Sequence, residues 1–252
     1  MINQTAEAAD RADGPDRKSN RLLRDFDKTA HLVRRFLTDR YGETGADALY
    51  RATREKYTEI IPQVRWVEGI RGGSLNTFLR VTAQEIAVFK AVEERGGTAP
   101  EAWEICHEAL RLRMNEFPKW KRWLLRRFMH SNLVRRIARR RQEKNELVRA
   151  GDFEIRYLVG DGSDFDFGVD YLRCGNLELA KQLGAKAFAP YACMSDIALS
   201  DALGWGLIRT QTLADGCSHC DFRFKKNAET RISSKTSEVQ ETIEKIRKAE
   251  AS

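Results

Sequence analysis

The sequence contains no apolar run that approaches the roughly 20 residues needed to span a bilayer. Residues 1–20 have neither an apolar core nor a cleavage-site pattern, so we expect no signal peptide and no membrane anchor. Five cysteines, without the short regular spacing of secreted disulfide domains, favour free thiols in a reducing cytoplasm. Prolines are few, and 252 residues with 42% hydrophobic and 32% charged side chains are typical of one large or two small globular domains.

Acidic residues are absent from one long segment. Between Phe117 and Gln142 there are ten Lys or Arg residues and no Asp or Glu, so this segment accounts for the net charge of +7. Trp120, Trp123 and Phe128 are interleaved with the cations. The simplest interpretation is a solvated helix whose apolar stripe covers the domain, and peripheral membrane contact through residues 118–142 is the alternative that we retain. Phosphate contacts would also suit the cations, but no nucleic-acid-binding motif accompanies them, and we expect no nucleic-acid partner.

The first half of the chain is predicted to be helical. Apolar residues recur at helical spacing from Phe26 to Tyr41, and Gly42 can end that helix. Thr98, with Glu101 three residues later, can begin another. We therefore predict four segments: a disordered N-terminus (residues 1–18), a helical region (19–150) with a basic helix at 118–142, an α+β catalytic domain (151–226) and a C-terminal helical tail (227–252).

The pattern changes near Gly151. Apolar and polar residues alternate over 153–159, which predicts a strand, and 165–171 is predicted to be its hairpin partner. The next elements are predicted to be helices at 175–184 and 190–202 and strands at 205–213 and 218–224. From Ser233 onward we predict a helix that is either solvated or a packing or oligomer element. The predicted fold class is α+β, a helical N-terminal region followed by a small antiparallel sheet with helices on one face.

Four of the five cysteines lie between Phe165 and Phe224. Cys217 and Cys220 have the spacing of a zinc-ligand pair, and Cys174 or Cys193 could complete a site, although a structural zinc site usually has two close pairs. A redox dithiol is a second interpretation, but such motifs begin helices, and this pair precedes a strand.

Thiol-based catalysis is the third interpretation. Cys193 and Asp196 are three residues apart on a predicted helix, so their side chains can face the same way. His219 has a pKa suited to proton transfer, and arginines could hold a carboxylate substrate. The alternative for each cysteine is a buried small hydrophobe, which we prefer for Cys106 and Cys217.

Four ordered blocks of this region resemble a known enzyme family. Residues 165–174, 190–196, 206–216 and 220–223 are similar to the L-2-amino-thiazoline-4-carboxylic acid hydrolase family. The resemblance implies ring-opening hydrolysis of a C–N bond in a small cyclic amidine, thiazoline or lactam, with thiol assistance. In the namesake reaction a thiazoline carboxylate is opened to an N-carbamoyl-cysteine type product. This chain departs from many relatives at Asp170-Tyr171-Leu172 and at Cys217, which concerns the substrate more than the fold.

The family pattern and the residue chemistry together define a candidate site. The predicted catalytic residues are Cys193, Asp196, Cys174, Cys220 and His219, with Cys193 or Cys174 as the nucleophile. The predicted substrate-binding residues are Arg209, Thr210, Asp221, Arg223 and Tyr191. We expect no metal ligand and no cofactor, with zinc or manganese as the alternative, and we expect a small-molecule substrate and a homo-oligomer. A different kind of function, a non-enzymatic sensor domain that binds metal or a small molecule through the cysteines, is the alternative to a hydrolase.

Overall fold

The computed structural model of the protein describes residues 15–69 and 72–250. The helices are α1 (Pro15–Ile60), α2 (Gly72–Glu93), α3 (Ala99–Asn115), α4 (Lys119–Met129), α5 (Asn132–Glu143), α6 (Gly175–Gln182), α7 (Ala189–Ala192), α8 (Asp196–Leu203) and α9 (Ser237–Glu250). The strands are β1 (Leu147–Ala150), β2 (Phe153–Val159), β3 (Phe167–Arg173), β4 (Leu207–Arg209), β5 (Cys220–Phe224) and β6 (Arg231–Ile232). The predicted α+β class is confirmed. Residues 1–14, most of the segment predicted to be disordered, lie outside the described residues.

Helix boundaries in the first half of the chain lie at residues that favour a helix end or a helix start. α1 is two helical segments that meet at Gly42, whose φ of 68° is outside the helical region. This is the residue at which the sequence predicts a helix end. Thr98 and Glu101 form a reciprocal capping box at the start of α3, where the sequence predicts that a helix begins. α1, α2 and α3 pack against one another and bury a shared apolar core.

The sheet has six strands in the order β1-β2-β3-β5-β4-β6. All neighbours are antiparallel except β4 and β6, which are parallel. In the register of β3 and β5, Tyr171 lies opposite Cys220 and Asp170 lies opposite Asp221. Because side chains alternate along a strand, these two pairs lie on opposite faces of the sheet.

One glycine fixes the entry to β4. Gly206 has a φ of 59°, and a Cβ at this position would collide with the carbonyl oxygen of Lys225. Only glycine can adopt this positive φ without strain and leave room for the carbonyl oxygen. The chain therefore turns sharply from α8 into β4, and Arg209 at the end of β4 is held close to the start of α8.

The structure refines the predicted elements in three places. The basic segment is two helices, α4 and α5, and the break falls at Ser131-Asn132, where the sequence offers an interruption of the predicted helix. Ser131 caps the second helix with a hydrogen bond from the Val134 N–H (3.3 Å). The short edge strands β1 and β6 were not predicted. At the C-terminal end the second of the two interpretations is the one observed: α9 is a packing element and not a solvated helix, since Val239 and Ile243 are buried in the main core.

None of the helices within the described ranges combines the length and the apolar character that crossing a bilayer requires.

Candidate functional site: a thiol cluster between the sheet and the short helices

Cys174 lies where β3 ends and α6 begins. It is the N-cap residue of α6, and it is half-buried. Burial raises the pKa of Cys174, and the nearby backbone N–H groups of Leu177 and Asn176 lower that pKa in part. The first turn of a helix supplies such donors because its N–H groups have no partner within the helix. The position of Cys174 thus favours a thiolate more than burial alone would allow.

Cys193 and Asp196 are joined by an arginine from the sheet. Cys193 begins a single 3-10 turn, and Asp196 is the first residue of α8. Arg209 Nη1 donates to the Cys193 carbonyl oxygen (2.8 Å) and to Asp196 Oδ2. Arg209 is almost completely buried, at 2% exposed, so this ion pair is shielded from solvent on the arginine side.

Cys220 is the first residue of β5 and lies beside Tyr171. Its sulfur accepts a hydrogen bond from the Leu213 N–H (3.2 Å). Burial raises the pKa of Cys220 to about 12, so the group is a neutral thiol at physiological pH. The same desolvation raises the pKa of Tyr171, which is close to Cys174, Asp196 and Cys220.

These residues meet in one place, which we call the thiol cluster: Cys174, Cys193, Asp196, Arg209 and Cys220. Burial raises the pKa of Cys193 well above its ordinary value. Arg209 lowers this pKa in part, whereas Cys220, Cys174 and Asp196 raise it further. Burial likewise raises the pKa of Asp196, and Arg209 offsets part of this increase. Cys174, Cys193 and Asp196 are half-buried, so the cluster reaches solvent through them.

The other face of the sheet carries a second group of charges, which we call the Asp170 group. Asp170 is buried, and its carboxylate lies 2.7 Å from Arg156 Nη2 and 2.8 Å from Arg223 Nη2. His219 Nε2 is 3.8 Å from the same carboxylate. Two residues predicted to serve the site, His219 and Arg223, therefore lie on the face opposite to the thiol cluster.

Asp221 and Thr210 are bound to each other. Asp221 accepts hydrogen bonds from the Thr210 N–H (2.8 Å), the Thr210 hydroxyl (2.7 Å) and the Gln211 N–H (2.6 Å). This geometry fixes the chain that leaves β4 next to β5. Tyr191 is buried, its ring stacks on Phe188, and burial together with Glu238 of α9 raises its pKa. The contacts of these three residues predicted to bind substrate are structural ones.

Cys217 is half-buried in the loop before β5. Within the described residues, no group of three or more His, Cys, Asp or Glu side chains is arranged to hold a metal ion. The Cys217–Cys220 pair therefore lacks the further ligands that a zinc site would need in this geometry.

The comparison with protein families adds a decisive observation. A family model described as L-2-amino-thiazoline-4-carboxylic acid hydrolase matches residues 76–224. The chain belongs to this family. The match to the L-2-amino-thiazoline-4-carboxylic acid hydrolase model begins within α2, ends at the last residue of β5 and contains every residue of the thiol cluster. No curated protein and no solved structure matches the chain significantly.

Three residues near the cluster of this hydrolase-family protein were not predicted. Tyr171 is placed there by its pairing with Cys220, a register that the sequence does not specify. The backbone N–H of Asn176 lowers the pKa of Cys174, and the Asn176 Oδ1 is buried without a partner among the described residues. The signal for Asn176 was the sequence Cys174-Gly-Asn directly after a strand, which is typical of a helix start. Glu85 is buried in α2, accepts from the Ser195 hydroxyl and approaches the cluster from the helical half.

Proposed function

We propose that the protein is a hydrolase that opens a small heterocycle of the amidine, thiazoline or lactam type, with a cysteine of the thiol cluster as nucleophile. Membership of the L-2-amino-thiazoline-4-carboxylic acid hydrolase family supports hydrolase chemistry in general. The observation that carries the specific proposal is the convergence of three thiols, a carboxyl group and a guanidinium at a half-buried position. This combination offers a nucleophile, a proton carrier and a fixed positive charge.

Cys174 is the proposed nucleophile. The backbone N–H groups of Leu177 and Asn176 lower the pKa of Cys174 in part, whereas burial raises the pKa of Cys193 well above its ordinary value. Backbone donors at a helix start stabilise a thiolate, and they can also hold the negative charge of a tetrahedral intermediate.

Asp196 and Arg209 have complementary proposed roles. The raised pKa of Asp196 keeps a larger fraction of its carboxyl group protonated than in water, so it can give a proton to a leaving atom. Arg209 holds Asp196 through Nη1, and its Nε has no hydrogen-bond partner among the described residues. Because Arg209 is buried, its proposed role is to position Asp196 and to supply a fixed positive charge beside it.

The proposed reaction is balanced with one water. The Asp196 carboxylate accepts the proton of the Cys174 thiol, and the resulting thiolate bonds to the ring carbon that carries the amidine or carbonyl group. The bond from this carbon to a ring heteroatom breaks, and the heteroatom takes the proton of Asp196. In a cyclic amidine or lactam the broken bond is C–N; in a thiazoline that yields an N-carbamoyl-cysteine product it is C–S.

Water then attacks the same carbon and displaces the Cys174 thiolate. For an amidine carbon, one proton of the water ends on nitrogen and the other passes through the Asp196 carboxylate to the Cys174 thiolate. The enzyme is regenerated in its starting protonation state, and nothing is oxidised or reduced. The chemistry of the site thus suffices for ring opening by hydrolysis.

The test is direct. Purified protein is incubated with L-2-amino-thiazoline-4-carboxylate, and separately with a cyclic amidine and a lactam that carry a carboxylate. Mass spectrometry should detect a product heavier than one of these compounds by one water. Absence of any such product with all three compounds would contradict the proposal.

Alkylation by iodoacetamide gives a second prediction for the same site. Because the pKa of Cys174 is raised, its alkylation rate should still be increasing with pH where an unperturbed cysteine has reached its plateau. A compound that the protein hydrolyses should protect Cys174 from alkylation, as measured by peptide mapping. Cys106 is the internal control, since it is buried in the helical core and should remain unmodified while the protein is folded. Equal labelling of Cys174 with and without substrate would argue against its role.

A further inference from the structure

The helical half contains a large apolar cavity that lies apart from the thiol cluster. Its volume is about 500 Å³, and it lies between α1, α2, α3 and α8. Its lining is mostly apolar, with Phe26, Val33, Phe78, Ile105 and Leu199 among the contributing side chains. Cys106 is the only cysteine of the lining, and Cys174, Cys193 and Cys220 do not contribute to it. The cavity is therefore a separate candidate site.

Two buried polar atoms of residues that line the cavity, Gln84 Nε2 and Glu85 Oε2, have no hydrogen-bond partner among the described residues. Glu85 is 5% exposed and lines the cavity. Its Oε1 accepts the Ser195 hydroxyl, while its Oε2 has no hydrogen-bond partner among the described residues. A buried polar atom without a partner is destabilising unless something else satisfies it. A convergent polar group in an apolar cavity is the usual composition of a ligand site.

The volume of the cavity limits the size of its ligand. An engineered apolar cavity of about 150 Å³ binds benzene, so 500 Å³ corresponds to a ligand of on the order of 20 non-hydrogen atoms by simple scaling. An empty apolar cavity of this size would cost the protein much of its stability. We propose that the cavity binds a single long alkyl chain whose hydroxyl-bearing end, an alcohol or a protonated fatty acid, hydrogen-bonds to Glu85 Oε2.

A fluorescent fatty acid tests this proposal. cis-Parinaric acid should bind the full-length protein saturably, and palmitic acid or hexadecanol should displace it. Ala109 lines the cavity, so Ala109→Trp should weaken binding at least tenfold by filling it. Ala249→Trp, at an exposed position of α9, is the matched control and should bind like the wild type.

Folding of the filled variant is checked by circular dichroism, and Thr77→Phe provides a second filled cavity if Ala109→Trp is unstable. Saturable binding that a folded, filled variant loses supports the proposal. Absence of saturable binding to the wild type, or unchanged binding to a folded filled variant, overturns it. Ring-opening activity is independent of this result, because neither residue belongs to the thiol cluster.

A second inference rests on the surface of α4 and α5. Trp120, Trp123 and Phe128 are 63%, 61% and 57% exposed. No residue of α4 is buried, and Leu133 and Ile137 continue the exposed apolar surface on α5. We call these five side chains the aromatic face. Single exposed apolar residues are common, but a contiguous group of this kind marks an interaction surface.

The charges around the aromatic face identify the partner. Of the ten cations in residues 117–142, Arg135 alone forms an ion pair with an acid, Asp166 (3.3 Å), within the part of the chain that the structure describes. Lys121 and Arg127 lie over the rings of Trp120 and Trp123. Exposed tryptophans flanked by unneutralised cations are the composition of helices that lie in the interface of an anionic bilayer. We infer that α4 and α5 dock on an anionic phospholipid surface.

Vesicle sedimentation tests this docking. The protein should pellet with phosphatidylcholine vesicles that contain phosphatidylglycerol, and less with phosphatidylcholine alone or in high salt. Lys121→Glu with Arg127→Glu should reduce binding at least tenfold. The control with the same change in charge, Arg35→Glu with Arg51→Glu on the exposed surface of α1, should bind like the wild type. Equal loss of vesicle binding in both double variants overturns the inference. Absence of binding to anionic vesicles also overturns it, and binding to duplex DNA in that case identifies nucleic acid as the partner instead.

Discussion

Replacing Cys174 by serine is expected to reduce kcat/KM for ring opening by on the order of 10³-fold or more, with little change in KM. A serine hydroxyl ionises far less readily than a thiol, and no histidine lies in the thiol cluster to activate it. The substitution is nearly isosteric, and Cys174 is half-buried at a helix cap, so the free energy of unfolding should change little. The measurements are steady-state kinetics and urea denaturation.

Two variants make this prediction specific. Cys217→Ser alters a half-buried cysteine in the loop before β5 and should retain wild-type kinetics. Cys193→Ser should reduce kcat/KM about tenfold, because it changes the surroundings of Asp196 and Arg209 without removing the nucleophile. If Cys193→Ser were inactive while Cys174→Ser kept its rate, the nucleophile would be Cys193, and the role of the α6 backbone donors would be disproved.

The strands and helices that could be predicted are those with local signals. The alternation over Phe153–Val159 fixes β2, and the Thr98 capping box fixes the start of α3, because each depends on neighbours in sequence. β6 could not be predicted, because two residues carry no pattern and the strand exists only through its parallel pairing with β4. The sequence left the burial of Val239 open for the same reason: the surface that covers it comes from elsewhere in the chain.

The candidate site was predictable in part. The thiols and Asp196 come together as proposed from spacing and from the family resemblance, and Arg209 joins them through β4. The placement of His219 and Arg223 depends on which face each residue of β5 and its preceding loop occupies, and that depends on a register shared with β3. A shift of one residue would exchange the two faces. The Asp170 group is therefore a feature that tertiary structure alone reveals.

Glu85 gives the prediction with the largest expected effect on stability. Burial raises the pKa of Glu85 from 4.5 to about 8, with the Ser195 hydroxyl lowering it in part and Asp196 raising it further. In the unfolded chain the carboxyl group ionises near its ordinary value. Between these two pH values the folded state binds more protons than the unfolded state. The contribution of Glu85 is therefore fully present below about pH 4.5 and is lost as the pH rises to about 8.

Glu85→Gln removes this pH dependence, because glutamine stays neutral and can still accept the Ser195 hydrogen bond. Relative to the wild type, the variant should gain roughly 3 to 5 kcal/mol in free energy of unfolding between pH 4.5 and pH 8.5. Urea denaturation at both pH values measures the difference, and all other titrating groups cancel in the comparison. Glu93→Gln at the exposed end of α2 is the control and should show a constant difference. A constant difference for Glu85→Gln as well would mean that the carboxylate is already ionised in the folded protein, so that a buried cation or solvent must reach it.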